Sequence, residues 1–420
     1  MRDKNLQKLN ELKYILIAVM VALIFLFQWI LSRSFVYVDV TPKNAVVTID
    51  NAPVVINTRG SGKKIIKPGS HIVKVEADGY INKISSYDFK RGMSKKLTLQ
   101  LSELPDPIKV TSDADFLAKG KNDNEVFYLG NHSKALFKAN ITFDNDKLTI
   151  QSEPITDSKL SGIEEIIWSP NKDLALFKKK DDVYLFDFQK YDFVHQTETL
   201  WGKNIGSIAW APDNSKIAYY SNDDKTLIFS NIGNSEKTRI ANLADYGIED
   251  PLLRWSPNSQ WLAMVPRSKN YASNKIYLLN AYSNTIMETT ETGDQLDVIF
   301  SADNQTLLYS TYSKDLGSQT NSAISIMNRD GSEKRSLNLN TTLSKIIWMD
   351  GKHLIASEYN PVEKREEIFG YNTETKEEDG SLLKIATEDP IETVTSVESA
   401  NKKILVYLIK NSIYALKFTD

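Results

Sequence analysis

The sequence predicts a mainly β chain, on three observations. A short pattern, an aromatic residue before a tight turn, returns through residues 105–420: WSPN at 168, WAPD at 210, WSPN at 255 and FSAD at 300, then a shortened WMDG at 348 and a degenerate ESAN at 398. A second set of apolar strands runs in phase with it. Finally, 19 Tyr, 16 Phe and 7 Trp favour strands over helices. With 420 residues, 41% hydrophobic and 25% charged, the chain has the balance of a globular protein and the length of two domains.

The N-terminus departs from the β pattern. Residues 14–31, YILIAVMVALIFLFQWIL, are apolar except for Gln28. As a helix they extend about 27 Å at ~1.5 Å per residue, enough for a hydrocarbon core. Tyr14 and Trp29 stand near the two ends, where amphipathic rings prefer to sit. Arg2, Lys4, Lys8 and Lys13 precede the run and only Arg33 follows closely. The expectation is therefore a cytoplasmic tail over 1–13, a membrane helix over 14–31, and everything beyond residue 34 outside. A cleaved signal peptide is the rival reading. It fits less well, because the run is long and Arg33 separates Ser32 from Ser34.

Residues 35–104 predict a small β-module. Residues 36–40 and 45–49 read as strands around Thr41-Pro42-Lys43-Asn44, and 71–75 and 95–101 as two more. Pro68-Gly69 suits a type II turn, and Ala77-Asp78-Gly79 turns the chain again, leaving Tyr80 to pack back on the core. Thr41-Pro42 with Ala45, Thr48-Ile49-Asp50, Pro68-Gly69-Ser70-His71 and Gly79-Tyr80 together make this segment resemble the PEGA domain, a small β-sandwich of envelope proteins. Asn51-Ala52 and Thr58-Arg59 depart from that family's pattern. The resemblance implies no catalytic residues. His71, alone in a strand, reads as structural rather than as a ligand. Eleven Lys/Arg against six Asp/Glu make the module +5, a solvated face or one that lies against anionic headgroups or wall polymers.

Beyond the Pro105-Asp106-Pro107 linker the repeats begin. The aromatic turns are spaced 42, 45, 45, 48 and 50 residues apart. The second strands (LFKAN at 136–140, VYLFD at 183–187, LIFSN, IYLLN, ISIMN, IFGYN and IYALK at 413–417) follow at 47, 44, 49, 48, 44 and 45. Seven hairpins at this pitch predict a seven-bladed β-propeller, with six blades the alternative. The strand ending at the Trp is innermost, Pro-Asp or Pro-Asn turns the chain, and Trp168, Trp210, Trp255, Phe300 and Trp348 are expected to wedge against the neighbouring blade. The seventh unit lacks an outermost strand, which residues 107–111 can supply. The aromatic-Ser-Pro-Asp/Asn pattern looks like the repeat of TolB-like (WD40-like) propellers, which also occur in prolyl-oligopeptidase-type peptidases. There a separate hydrolase domain carries the chemistry, and no stretch of this sequence reads as one.

Motifs for catalysis are missing. GxSxG, HExxH and GxxxxGK[ST] do not occur. His71, His132, His195 and His353 are scattered, and Asp144/Asp146, Asp181/Asp182 and Asp223/Asp224 read as turn residues rather than calcium loops. The expectation is no enzyme, no metal and no cofactor. There is no cysteine, so disulfides and thiolate chemistry are excluded. Residues 105–420 carry 35 Lys/Arg against 46 Asp/Glu, which argues against nucleic acid as a partner.

One asymmetry suggests a binding face. The loop between the paired strands is short in the second and third units (KKKDD, SNDDK) and longer in the next three, at 267–275, 312–323 and 359–367. These loops emerge opposite the Trp-Pro turns and predict a recognition patch of Arg267, Tyr271, Tyr312, Lys314, Tyr359 and Arg365. The functional expectation is a single-pass, membrane-anchored extracytoplasmic binding or scaffold protein of the cell envelope that recognises a protein or glycan. The alternatives are a glycan- or peptide-processing enzyme with its site in the propeller channel, and a sensor.

Overall fold

The computed structural model describes residues 16, 17, 19–23, 28, 29, 32–77, 79–103, 106–144, 147–156, 160–189, 198–267, 274–293, 296–312 and 322–417. The chain divides into two compact units, Met1–Leu104 with Asp379–Ser381, and Pro105–Glu378 with Leu382–Asp420.

The first unit contains two facing sheets. In one, Ser34–Thr41 lies between antiparallel Ser61–Ile66 and parallel Ser94–Gln100. The other runs Ala52–Val54, Val46–Ile49, Gly69–Glu76, Lys83–Phe89. Alternation decides which side is buried: Val36, Val38 and Val40 point inward, while Tyr37 is 48% exposed. They meet Val47, Ile49, Val73, Val75, Phe89, Leu97 and Leu99 in one core, and Tyr80 packs against it from the turn at Ala77. Gly69 departs from the expected type II turn. Its φ of +138° lies far from the ~+80° such a turn needs, and the strand already begins at this residue.

The expected membrane helix is not observed as such. Among the described residues no helix is long and apolar enough to cross a membrane. Half of 14–31, and all of 1–13, lie outside the described residues. Residues 16, 17, 19–23, 28 and 29 are helical, and their apolar side chains are exposed, Leu16 by 64% and Trp29 by 46%.

The second unit is a β-propeller of seven four-stranded sheets, six of them formed by strands taken in simple sequence order. The innermost strands are Phe116–Lys119, Glu165–Trp168, Ile205–Trp210, Leu252–Trp255, Asp297–Phe300, Ile346–Trp348 and Thr393–Ser399. In the last sheet the outermost strand is Ile108–Thr111, which pairs with Ser412–Lys417 through Thr111 to Ile413 and Ile108 to Ala415. An apolar cluster lies between each consecutive pair of sheets. A seventh joins the last sheet to the first, setting Val126 and Ile141 against Ile404 and Val406. No sheet can bury both faces alone, so adjacent blades cover one another.

The aromatic turn is built alike in three blades. Ser169, Ser256 and Ser301 are fully buried. Their hydroxyls accept the N–H of Leu174 (3.0 Å), Trp261 (2.9 Å) and Thr306 (3.0 Å) and donate to Asn171, Asn258 and Asp303. Lys172, Ser259 and Asn304 take left-handed φ of 60°, 58° and 63° to close the bend. In the WAPD copy Ala211 replaces the serine, and Asn214 instead accepts from the Trp210 indole N–H at 2.8 Å. The aromatic rings wedge between blades: Trp168 lies 4.8 Å from Phe127 and Trp255 5.5 Å from Phe229, ring to ring, each on the preceding sheet. Trp210 and Phe300 are buried in the same position, and Trp348 partly so.

Candidate functional site

The turns and links divide between two faces of the propeller. The aromatic turns occupy one. On the other emerge the hairpins joining second to third strands and the links from one blade to the next, and here lie the described patch residues Arg267, Tyr359 and Arg365.

Tyr359 and Arg365 share one hairpin of the sixth blade, since His353–Asn360 pairs with Arg365–Asn372 so that Tyr359 faces Glu366 and Asn360 faces Arg365. Tyr359 is half-buried, and its hydroxyl donates to the carbonyls of Glu388 (2.9 Å) and Thr387 (3.4 Å), holding the link to the seventh blade. Lys364 reinforces that link through Glu388 at 2.8 Å. Arg365 is exposed and pairs with Glu363 at 2.8 Å. Arg267 is also exposed, but on the fourth blade, its backbone N–H donating to Glu249 at 3.3 Å. Tyr312 ends the strand Thr306–Tyr312; its side chain, like Tyr271 and Lys314 as a whole, lies outside the described residues. Of the six residues, the structure thus joins two on one hairpin and sets a third two blades away.

Beneath the Tyr359 hairpin is a buried polar hub with no sequence motif. Glu366 is fully buried and accepts from Lys345 Nζ (3.3 Å), the Ser357 hydroxyl and the Ile391 N–H (3.1 Å). Burial pushes the Lys345 ammonium below the ordinary lysine range, against the pull of Glu366. Burial also raises Glu358, which accepts the Asn340 N–H at 2.6 Å, and lifts Tyr371 to about 12. The one sequence clue is a lysine directly before the apolar inner strand Ile346–Trp348.

The acidic pairs behave as turn chemistry. Asp181 accepts from Asn222 at 3.3 Å, Asp223 from Asn204, and Asp224 pairs with Arg239 at 2.6 Å. Asp146 lies outside the described residues. Each described histidine is held by an aspartate: His71 by Asp50 (2.5 Å), His132 by Asp113 (3.0 Å), His353 by Asp350 (2.8 Å). His195 is not among them. Both ring nitrogens of His71 face acceptors, the second being the Lys67 carbonyl at 2.8 Å, so this side chain is a structural strap. Among the described residues no three His, Cys, Asp or Glu are grouped to hold a metal.

No family model matches the chain, so the PEGA resemblance of residues 35–104 finds no support there. No curated protein matches it either. Solved structures similar to it include TolB and WD40 propeller proteins. The WD40 domain of Toxoplasma gondii coronin is 9% identical, with 74% of this chain and 85% of that one covered and a TM-score of 0.47. TolB from Acinetobacter baumannii is 12% identical over 72% and 79%, with a TM-score of 0.36. Oligogalacturonate lyase from Vibrio parahaemolyticus is 13% identical over 71% and 86%, with a TM-score of 0.43. The presence of a lyase among the neighbours corrects the expectation that this chain is not an enzyme. Missing linear motifs exclude only chemistries that are written in contiguous residues, whereas a propeller can assemble a site from several blades.

Proposed function

We propose that this chain is a binding or scaffold protein of the cell envelope, anchored through its N-terminal segment, which recognises a protein or glycan through the propeller face opposite the aromatic turns. One observation supports the reading: the strand ends that carry the longer second-to-third-strand segments of the fourth to sixth blades lie on one face of the propeller, with Arg267 and Arg365 exposed there. A ring whose blades are wedged by aromatic rings fixes the strand ends that carry these loops. The exposed apolar side chains of Leu16, Ile17 and residues 19–23 support the anchor. In this reading the envelope module over 35–104 is a PEGA-like spacer, the bulk of the chain is extracytoplasmic, and nucleic acid is not a partner.

The test replaces Tyr271, Tyr312 and Tyr359 together by Ala in the full chain and measures retention by envelope extract. Aromatic anchors at a recognition surface each contribute about 1–2 kcal/mol or more, so the triple variant is expected to bind at least about tenfold more weakly. Unchanged retention would overturn the patch.

A further inference from the structure

The end of the N-terminal sandwich where the chain enters has a composition of its own. Ser34 pairs with Ile66, Phe35 with Ser94 and Gly69 with Phe89, so these strand ends lie together. The two connections there are Lys67-Pro68 and Lys90-Arg91-Gly92-Met93. They carry three cations and no acid. The second is tied to the residues just after the apolar segment: Gly92 N–H donates to the Arg33 carbonyl (2.9 Å), Phe35 N–H to the Met93 carbonyl (3.0 Å), and the Ser34 hydroxyl to the Lys90 carbonyl (2.7 Å). Lys67 and Lys90 are exposed, Met93 is 58% exposed, and the Arg33 guanidinium lies 5.8 Å from the centre of the Trp29 ring. Toward the same end, Asp50 is occupied by His71 and the Ile72 N–H (3.0 Å), and Asp88 is the other acid.

We infer that this end of the sandwich is a docking surface for an anionic lipid bilayer. Lys67, Lys90 and Arg91 meet headgroup phosphates, and Met93 enters the interfacial layer beside Trp29. The inference rests on the anchored reading above and extends it. Three hydrogen bonds fix the basic loop to the residues that leave the apolar segment, so a bilayer holding that segment meets the loop without further rearrangement. Basic and amphipathic side chains just outside a span are attracted to anionic headgroups and to the interface. The occupant follows from continuity with the exposed apolar helix and from charge complementarity.

The test uses the full chain. It has no cysteine, so one introduced thiol can be labelled uniquely. An environment-sensitive fluorophore is placed at Met93→Cys or, as a control, at Asn44→Cys, in the connection leaving the far end of the first strand. The protein is reconstituted in vesicles of phosphatidylcholine with or without phosphatidylglycerol, and quenching by spin-labelled lipid is read. The expected result is quenching at position 93 at least about twofold that at position 44, rising with phosphatidylglycerol and reduced by Lys90→Glu with Arg91→Glu. Equal quenching at 93 and 44, or no dependence on the anionic lipid, overturns the docking surface. Flotation after alkaline carbonate separates the two readings. A chain that does not float overturns the anchor and this inference with it; one that floats with position 93 unquenched overturns this inference alone.

Discussion

Ser256 shows what one buried hydroxyl does in this molecule. It accepts the Trp261 N–H and donates to Asn258, so a turn that would leave polar groups unpaired against the neighbouring blade is satisfied from within. The sequence showed the pattern but not this reason, because the bond joins residues five apart whose approach depends on a left-handed residue between them. The shortened WMDG copy solves the same problem differently: Asp350 accepts the N–H groups of Lys352 (2.7 Å) and His353 (2.8 Å) and holds the His353 ring. The Lys352 N–H first, then the His353 ring, lower its carboxyl from 3.8 to about 2. A depressed carboxylate contributes stability that is full above its unfolded value and is lost as pH falls through its folded one. Asp350→Asn is therefore expected to unfold at lower urea than the parent near neutral pH, with the gap shrinking below about pH 4 and closing near pH 2. A gap that persists undiminished at the acid end would exclude this linkage.

At the scale of elements, Glu366 joins three segments that are far apart in sequence. Lys345 ends the short turn Leu343–Lys345 just before an inner strand, Ser357 sits in the second strand of that blade, and Ile391 lies in the link to the next. A buried ion pair adds little net stability against an apolar replacement, but removing one partner leaves a stranded charge. Glu366→Gln is expected to cost about 3–5 kcal/mol in urea unfolding, while Lys345→Met with Glu366→Leu recovers most of that loss. If the double variant were as unstable as the single one, the hub would owe its worth to its hydrogen bonds rather than to the charge. Tyr359 belongs to the same corner. Predicted as a recognition residue, it gives its hydroxyl to the Glu388 carbonyl, so its ring is oriented by the scaffold it decorates. Arg365 was legible as an exposed cation on a long hairpin; its pairing with Glu363 was not, since only the turn geometry decides it.

For the whole molecule, the pairing of Ile108–Thr111 with Ser412–Lys417 ties the two ends of the propeller into one sheet. Proline at Lys109 and Val110 together removes ladder donors from this strand. It is expected to lower the unfolding free energy by about 1–3 kcal/mol and to speed amide exchange in Ser412–Lys417. Protection unchanged there would mean the inter-blade cluster alone holds the seventh sheet. The sandwich and the apolar segment belong to this scale too. The proposed docking on a bilayer draws on a composition legible in residues 14–31 and on a loop whose proximity to Arg33 was not.

What the residues decided alone is what recurs at short range. Periodic aromatic turns and in-phase strands specify a repeating four-stranded unit, because alternation and turn preference act over a few neighbouring residues. The number of cations and the absence of cysteine are likewise sequence properties. The tertiary structure decided which distant groups meet: Glu366 with Lys345 and Ile391, and the basic loop at residues 90–93 with Arg33, whereas the pairing of 108–111 with the last strand was already legible from the missing outer strand. Ring geometry and sheet register bring these together. Neither is written in any window of sequence, since both arise only when every blade has covered its neighbour's apolar face.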